Sequence, residues 1–129
     1  FAAPGEIQQI ALAQFHFLRA RSLFEQNLRQ QSTKAYRDAL LLDPTHTASM
    51  LNLATLLAED GELDEAQNLA ERVSSRYSNS EAPFNIMIIV ANQRKDMVAM
   101  KIAAERSLEC NPMQPAIQRV LIQLNERNL

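Results

Sequence analysis

Ala35-Tyr36-Arg37-Asp38-Ala39-Leu40-Leu41-Leu42-Asp43-Pro44 reads as the end of a helix, and Ala103-Ala104-Glu105-Arg106-Ser107-Leu108-Glu109-Cys110-Asn111-Pro112 reads as the same ending used again. Each stretch carries small residues on one helical face, then leucine, then an Asp-Pro or Asn-Pro stop. The residue before a proline is pushed out of the helical region, so such a pair ends a helix. The two prolines are 68 residues apart, and half of that spacing is 34. The midpoint falls at Ser78, inside Arg76-Tyr77-Ser78-Asn79-Ser80, which is turn chemistry without the proline. Between the stops, residues 47–66 supply a helix–turn–helix: Leu53-Ala54, Leu57, a turn glycine at Gly61, then Ala66 opening the next packing face.

Composition agrees with a chain of helices. The 129 residues fit one domain, and 47% of them are apolar, enough for a core. Only two glycines and five prolines interrupt a sequence rich in the helix formers Ala, Leu, Gln, Glu and Arg. Few runs alternate apolar and polar as strands do, so the fold class expected is all-α. A net charge of −2 with acids and bases interspersed lacks the basic footprint of a nucleic-acid binder and any polybasic membrane patch. The longest strongly apolar stretch, residues 84–91, is broken by Asn85 and is far short of the roughly 20 residues a membrane span takes.

The 34-residue period and the positions quoted resemble the tetratricopeptide repeat (TPR) family. The resemblance implies an α-solenoid, a right-handed superhelix of antiparallel helix pairs, and places repeats at 13–46, 47–80 and 81–114. Residues 1–12 then extend the first helix backward, and 115–129 form a capping helix in which Ile117, Val120, Leu121 and Leu124 make one apolar face. The middle repeat matches the family pattern well. The first departs from it at Arg19, where Leu is usual, and at Asn27, where Gly is usual. The third departs at Ile88, at Lys95 in the turn, and at Met100 in place of Ala.

In such a solenoid the first helix of each pair lines the concave face, and small residues such as Ala20, Ala39, Ala54, Ala66, Ala70 and Ala104 hold neighbouring helices together. The positions left for a partner are Phe17, Leu18, Arg21 and Phe24 in the first repeat. The second supplies Leu51, Asn52, Thr55 and Ala58, and the third Asn85, Ile86, Ile89 and Asn92. This is an apolar surface with a few amides and one arginine, suited to an apolar peptide or a partner helix. Some members of the family clamp chaperone C-termini with basic and amide groups. The corresponding positions here are Phe17, Arg21, Asn52, Ala82 and Ile86, of which only Asn52 matches, so that role is not expected.

No phosphate loop, nucleophile motif or metal-ligand spacing is present, so no catalysis, metal or cofactor is expected. His16 is read as a packing residue, His46 as a solvated turn residue and Cys110 as an inert thiol without a base. The acidic run from Glu59 to Glu65 crosses a turn and opens a helix, where acids favour the dipole. One cysteine cannot form an internal disulfide. The opening Phe1-Ala2-Ala3-Pro4-Gly5 suits the tail of a secretory cleavage site or a domain cut from a longer protein, which leaves bacterial periplasm and cytoplasm both open for a soluble chain. Three functional readings follow: an adaptor or assembly scaffold holding a partner segment, a non-catalytic targeting domain of a larger enzyme, and a self-associating homo-oligomeric scaffold.

Overall fold

The computed structural model describes residues 3–127. Among them are seven helices and no strand: α1 (Pro4–Glu25), α2 (Arg29–Leu42), α3 (Thr47–Glu59), α4 (Leu63–Arg76), α5 (Ala82–Arg94), α6 (Met97–Cys110) and α7 (Pro115–Glu126). The expected all-α class holds. The first two of the five residues of the secretory-type opening, Phe1 and Ala2, lie outside the described residues, as do the last two positions of the proposed cap. No described helix is long and apolar enough to cross a membrane.

The period is written in the helix ends. The even helices start at Arg29, Leu63 and Met97 and stop at Leu42, Arg76 and Cys110, each 34 residues after the last. The turns that precede them are copies of one another. Asn27, Gly61 and Lys95 take φ values of 63°, 86° and 57°, all left-handed. The next amide in each case reaches back five residues: Leu28 donates to the Leu23 carbonyl at 2.9 Å, Glu62 to Leu57 at 2.8 Å and Asp96 to Ala91 at 2.9 Å. A left-handed residue followed by this backward bond closes a helix by satisfying carbonyls that would otherwise lack a donor. Only glycine enters that conformation without steric cost, and asparagine does so more readily than lysine. The departures at Asn27 and Lys95 therefore keep the turn and add strain to it. The second type of stop also recurs, with the amides of Asp43, Tyr77 and Asn111 bonding Ala39, Val73 and Ser107 four residues back. Asp43 Oδ1 accepts from the Thr45 amide at 3.1 Å, and Asn111 Oδ1 from the Met113 amide at 3.1 Å.

The chain forms two compact units, one up to Leu56 and one from Leu57, with the boundary inside α3. In the first, α1 and α2 pack through Ala13, Ala20, Ala35 and Ala39, none more than 1% exposed, with Phe17 and Tyr36 beside them. The buried Ser32 hydroxyl donates to the Ala20 carbonyl at 2.7 Å, which is the bond a buried hydroxyl requires. In the second, α5 packs against α4 and α6, and α7 closes onto α6. Ile88, Ala91, Met100, Ala103, Ala104 and Leu124 form its core, flanked by Ile117, Val120 and Leu121 from α7. The apolar face expected of the last helix is the one it buries. Ala66 and Ala70, both fully buried, mark the packing side of α4.

Two substitutions test this account. Lys95→Gly relieves the left-handed strain and raises stability by about 0.5–1 kcal/mol, less than the steric relief alone because glycine also frees the unfolded chain. Ala66→Leu overpacks a site with no free surface and lowers stability by about 1–3 kcal/mol. Urea denaturation midpoints of the two variants and the parent measure both effects.

Candidate functional site

In the first unit, α1 and α3 present most of the residues singled out for partner binding, but in different degrees. Leu18 and Phe24 are half exposed, Arg21 is exposed, and Leu51, Asn52 and Thr55 are half-buried. Phe17 is instead buried, because its ring lies 6.0 Å from Tyr36 and 5.1 Å from His46. It therefore supports the face from below. The Arg21 guanidinium stands 5.8 Å from the Phe17 ring, and the Arg29 guanidinium 6.0 Å from Phe24, so both aromatics carry a cation on one side.

Tyr36 and His46 hold this face in shape. Asn52 Nδ2 donates to the Tyr36 hydroxyl at 3.0 Å, tying α3 to α2. Tyr36 is 3% exposed. Burial pushes its hydroxyl above the ordinary value of 10.0, while the Asn52 bond and the Arg21 charge pull it partly back. His46 is not the solvated turn residue expected. Its Nδ1 accepts from the Ser49 amide at 3.2 Å and lies 2.8 Å from the Ser49 hydroxyl, so it caps the first turn of α3. That acceptor role puts the ring proton on Nε2, which donates to Gln14 Oε1 at 2.9 Å. The residue was missed as a cap because Ser, Thr, Asp and Asn are the usual cap signals.

In the second unit the placement is mixed. Ile86 is 5% exposed and has no side-chain surface to offer, because α5 packs against helices on both sides. Asn85 is committed: its Nδ2 donates to Gln114 Oε1 at 2.9 Å and its Oδ1 accepts from the buried Ser107 hydroxyl. Ile89 is half-buried and lines a cavity of about 360 Å³ with Asn92, Gln93, Met97, Gln123 and Arg127 among others. A second cavity of about 450 Å³ lies between α4 and α6, floored by Phe84, Met87 and Val90 of α5. Neither cavity had a signal in the sequence, since each is a gap left by residues far apart in the chain. Ala58 is fully buried.

The other reactive side chains are accounted for. Cys110 is half-buried and its thiol donates to the Ser78 carbonyl at 3.4 Å. His16 is half-buried beside the edge of Phe15, and its Nδ1 has no hydrogen-bond partner among the described residues. Among those residues no three His, Cys, Asp or Glu side chains converge as a metal site would need.

Residues 11–85 match the sequence pattern of the family described as tetratricopeptide repeat, more than half of the chain. The chain belongs to the tetratricopeptide repeat family. Solved structures share the TPR fold along nearly its whole length. The TPR domain of Arabidopsis OM64 superposes with a TM-score of 0.84 over 92% of this chain and 98% of that one, at 8% identity. The first TPR of Spaghetti (RPAP3), solved with an HSP90 peptide, gives 0.81 over 89% and 91%, at 14% identity. Among curated proteins, a probable biofilm formation methyltransferase, WspC of Pseudomonas putida, is 42% identical over 52 residues. That stretch is 40% of this chain and spans only 12% of the curated relative's length.

The Tyr36 environment has a measurable consequence. A group whose folded value is raised favours the folded state while both states are neutral. That contribution is present below about pH 10 and is lost as pH rises through the folded value. Stability is expected to fall above about pH 10, and Tyr36→Phe to remove part of that fall. Urea midpoints of parent and variant at about pH 8 and about pH 11 give the comparison.

Proposed function

We propose that this TPR chain is a protein-interaction module that holds an apolar partner segment on the face formed by Leu18, Arg21, Phe24, Leu51, Asn52 and Thr55. The observation that carries the reading is the pairing of part-open apolar side chains with oriented polar groups on α1 and α3. Leu18, Phe24 and Leu51 keep surface that a partner's side chains can cover. Arg21 supplies a cation, and Asn52, whose Nδ2 is used by Tyr36, keeps Oδ1 as an acceptor for a partner's backbone amide. In the second unit, Ile89 with Asn92 and Gln93 around the 360 Å³ cavity is a further apolar seat, whereas Ile86 and Asn85 serve packing. The proposed repeat register is 13–46, 47–80 and 81–114, capped by 115–129. The role is adaptor or assembly scaffold, with no reaction of its own.

A second reading is that the chain is the non-catalytic targeting part of a larger enzyme. It is favoured by the local likeness to a methyltransferase eight times longer than the matched stretch. The reading frame on either side of the segment tests it: a continuous catalytic domain supports it, and a short complete frame overturns it.

For the first reading, partner capture by the parent is compared with capture by the folded Arg21→Ala, Asn52→Ala double variant. Losing two polar contacts of about 1 kcal/mol each weakens binding roughly tenfold or more. Equal affinity of parent and variant for a confirmed partner removes the face from the proposal.

A further inference from the structure

Helices α5, α6 and α7 enclose a cavity of about 360 Å³ that their own packing leaves unfilled. Buried Ile88, Met100 and Leu124 form its floor, and half-buried Ile89, Met97 and Val120 rise toward its mouth. The two methionines come from α6, and their flexible thioethers adapt a wall to the shape they meet. The volume lies at the small end of ligand-binding pockets. It has room for one large apolar side chain and too little for the apolar stripe of a whole helix.

The mouth is polar and carries one sign of charge. Asn92 of α5 and Gln123 and Arg127 of α7 are exposed there. Among the described residues that line the cavity, Arg127 is the cation and no acid opposes it. Its Nη1 rests on Met97 Sδ at 4.0 Å, a weak acceptor, so its donors stay open to an anion. The side-chain amides of Asn92 and Gln123 bond no other described residue. Each offers a donor and an acceptor, one from α5 and the other from α7. An extended main chain has unpaired groups to match them, whereas a helix bonds its own main chain and would leave both amides unused. In an extended segment, residues two apart point the same way at a spacing of about 6.6 Å. A side chain seated in the cavity therefore leaves its second neighbour at the rim, where Arg127 stands.

We propose that this cavity takes a bulky apolar side chain of an extended partner segment, with an Asp or Glu two residues away paired to Arg127 and the main chain held by Asn92 and Gln123. This names the partner's chemistry at the second-unit seat and rests on the partner-binding reading above. The charge of Arg127 selects the acid, and the cavity selects its apolar neighbour.

NMR titration of the chain with short blocked peptides tests the proposal. The probe is acetyl-Gly-Leu-Ala-Glu-Gly-amide, and its controls replace Glu with Lys or Leu with Gly. The probe is expected to shift the methyl signals of Ile89 and Val120 and to saturate with a Kd of about 1 mM. The Lys peptide is expected to bind about fivefold more weakly, and the Gly peptide not to saturate. Arg127→Glu, at an exposed position, is expected to keep the fold and to invert the preference between the Glu and Lys peptides. Isocaproate, which carries the apolar group and the carboxylate without a main chain, is expected to bind more weakly than the probe. No shift at Ile89 and Val120 up to about 10 mM probe, a preference unmoved by Arg127→Glu, or isocaproate binding as tightly as the probe would each overturn the proposal. The peptides and Arg127→Glu leave Arg21 and Asn52 unaltered. A failed titration, alongside a confirmed partner still weakened by Arg21→Ala with Asn52→Ala, removes the cavity and leaves the α1–α3 face standing.

Discussion

Three carbonyls, those of Leu23, Leu57 and Ala91, decide where α1, α3 and α5 stop, because each receives the amide that follows a left-handed residue. Without that closure a helix end exposes unpaired acceptors, and the chain would have no reason to reverse there. With it, the next helix begins within a few residues. The first residues of α2, α4 and α6 keep the 34-residue spacing because the closure before them is the same each time. Packing then follows, since fully buried alanines such as Ala20, Ala39, Ala66, Ala70 and Ala104 allow the close approach that the short turn demands.

The same economy explains the functional surface. A helix pair held together by small residues needs few large ones inside, so leucines and phenylalanines on α1 and α3 keep part of their surface. Polar groups on that surface are not loose. Asn52 is held by Tyr36, and the start of α3 is held by His46, which Gln14 orients in turn. A partner meeting this face finds groups already positioned, which lowers the entropy lost on binding.

The repeat was legible because its punctuation is local. Asp43-Pro44 and Asn111-Pro112 announce their turns within two residues, and the alternate stop at Tyr77-Ser78 falls where the spacing demands. Gly61 announces the closing turn, but Asn27 and Lys95 adopt the same conformation without the signal, because the backward hydrogen bond and helix packing override their preference. The candidate site was less legible, for a different reason. Whether Ile86 is covered depends on the helices on either side of α5, and the Asn85 amide is taken by Ser107 and Gln114, more than twenty residues away in sequence. Helical periodicity assigns a side to each residue and says nothing of the neighbour that will occupy it. His46 escaped for a related reason, since a ring nitrogen acting as a helix cap has no compositional signature.

The identical closing turns also govern which changes of length the gene can tolerate. Adding or deleting one residue within α4 would rotate every later side chain by 100° about the axis and bring polar groups to the alanine side. Duplicating a whole segment from one left-handed residue to the next would instead present each helix with the junction it already has. The architecture is forgiving of large steps and severe toward small ones, so unit-by-unit duplication is the route by which such a chain lengthens while staying folded.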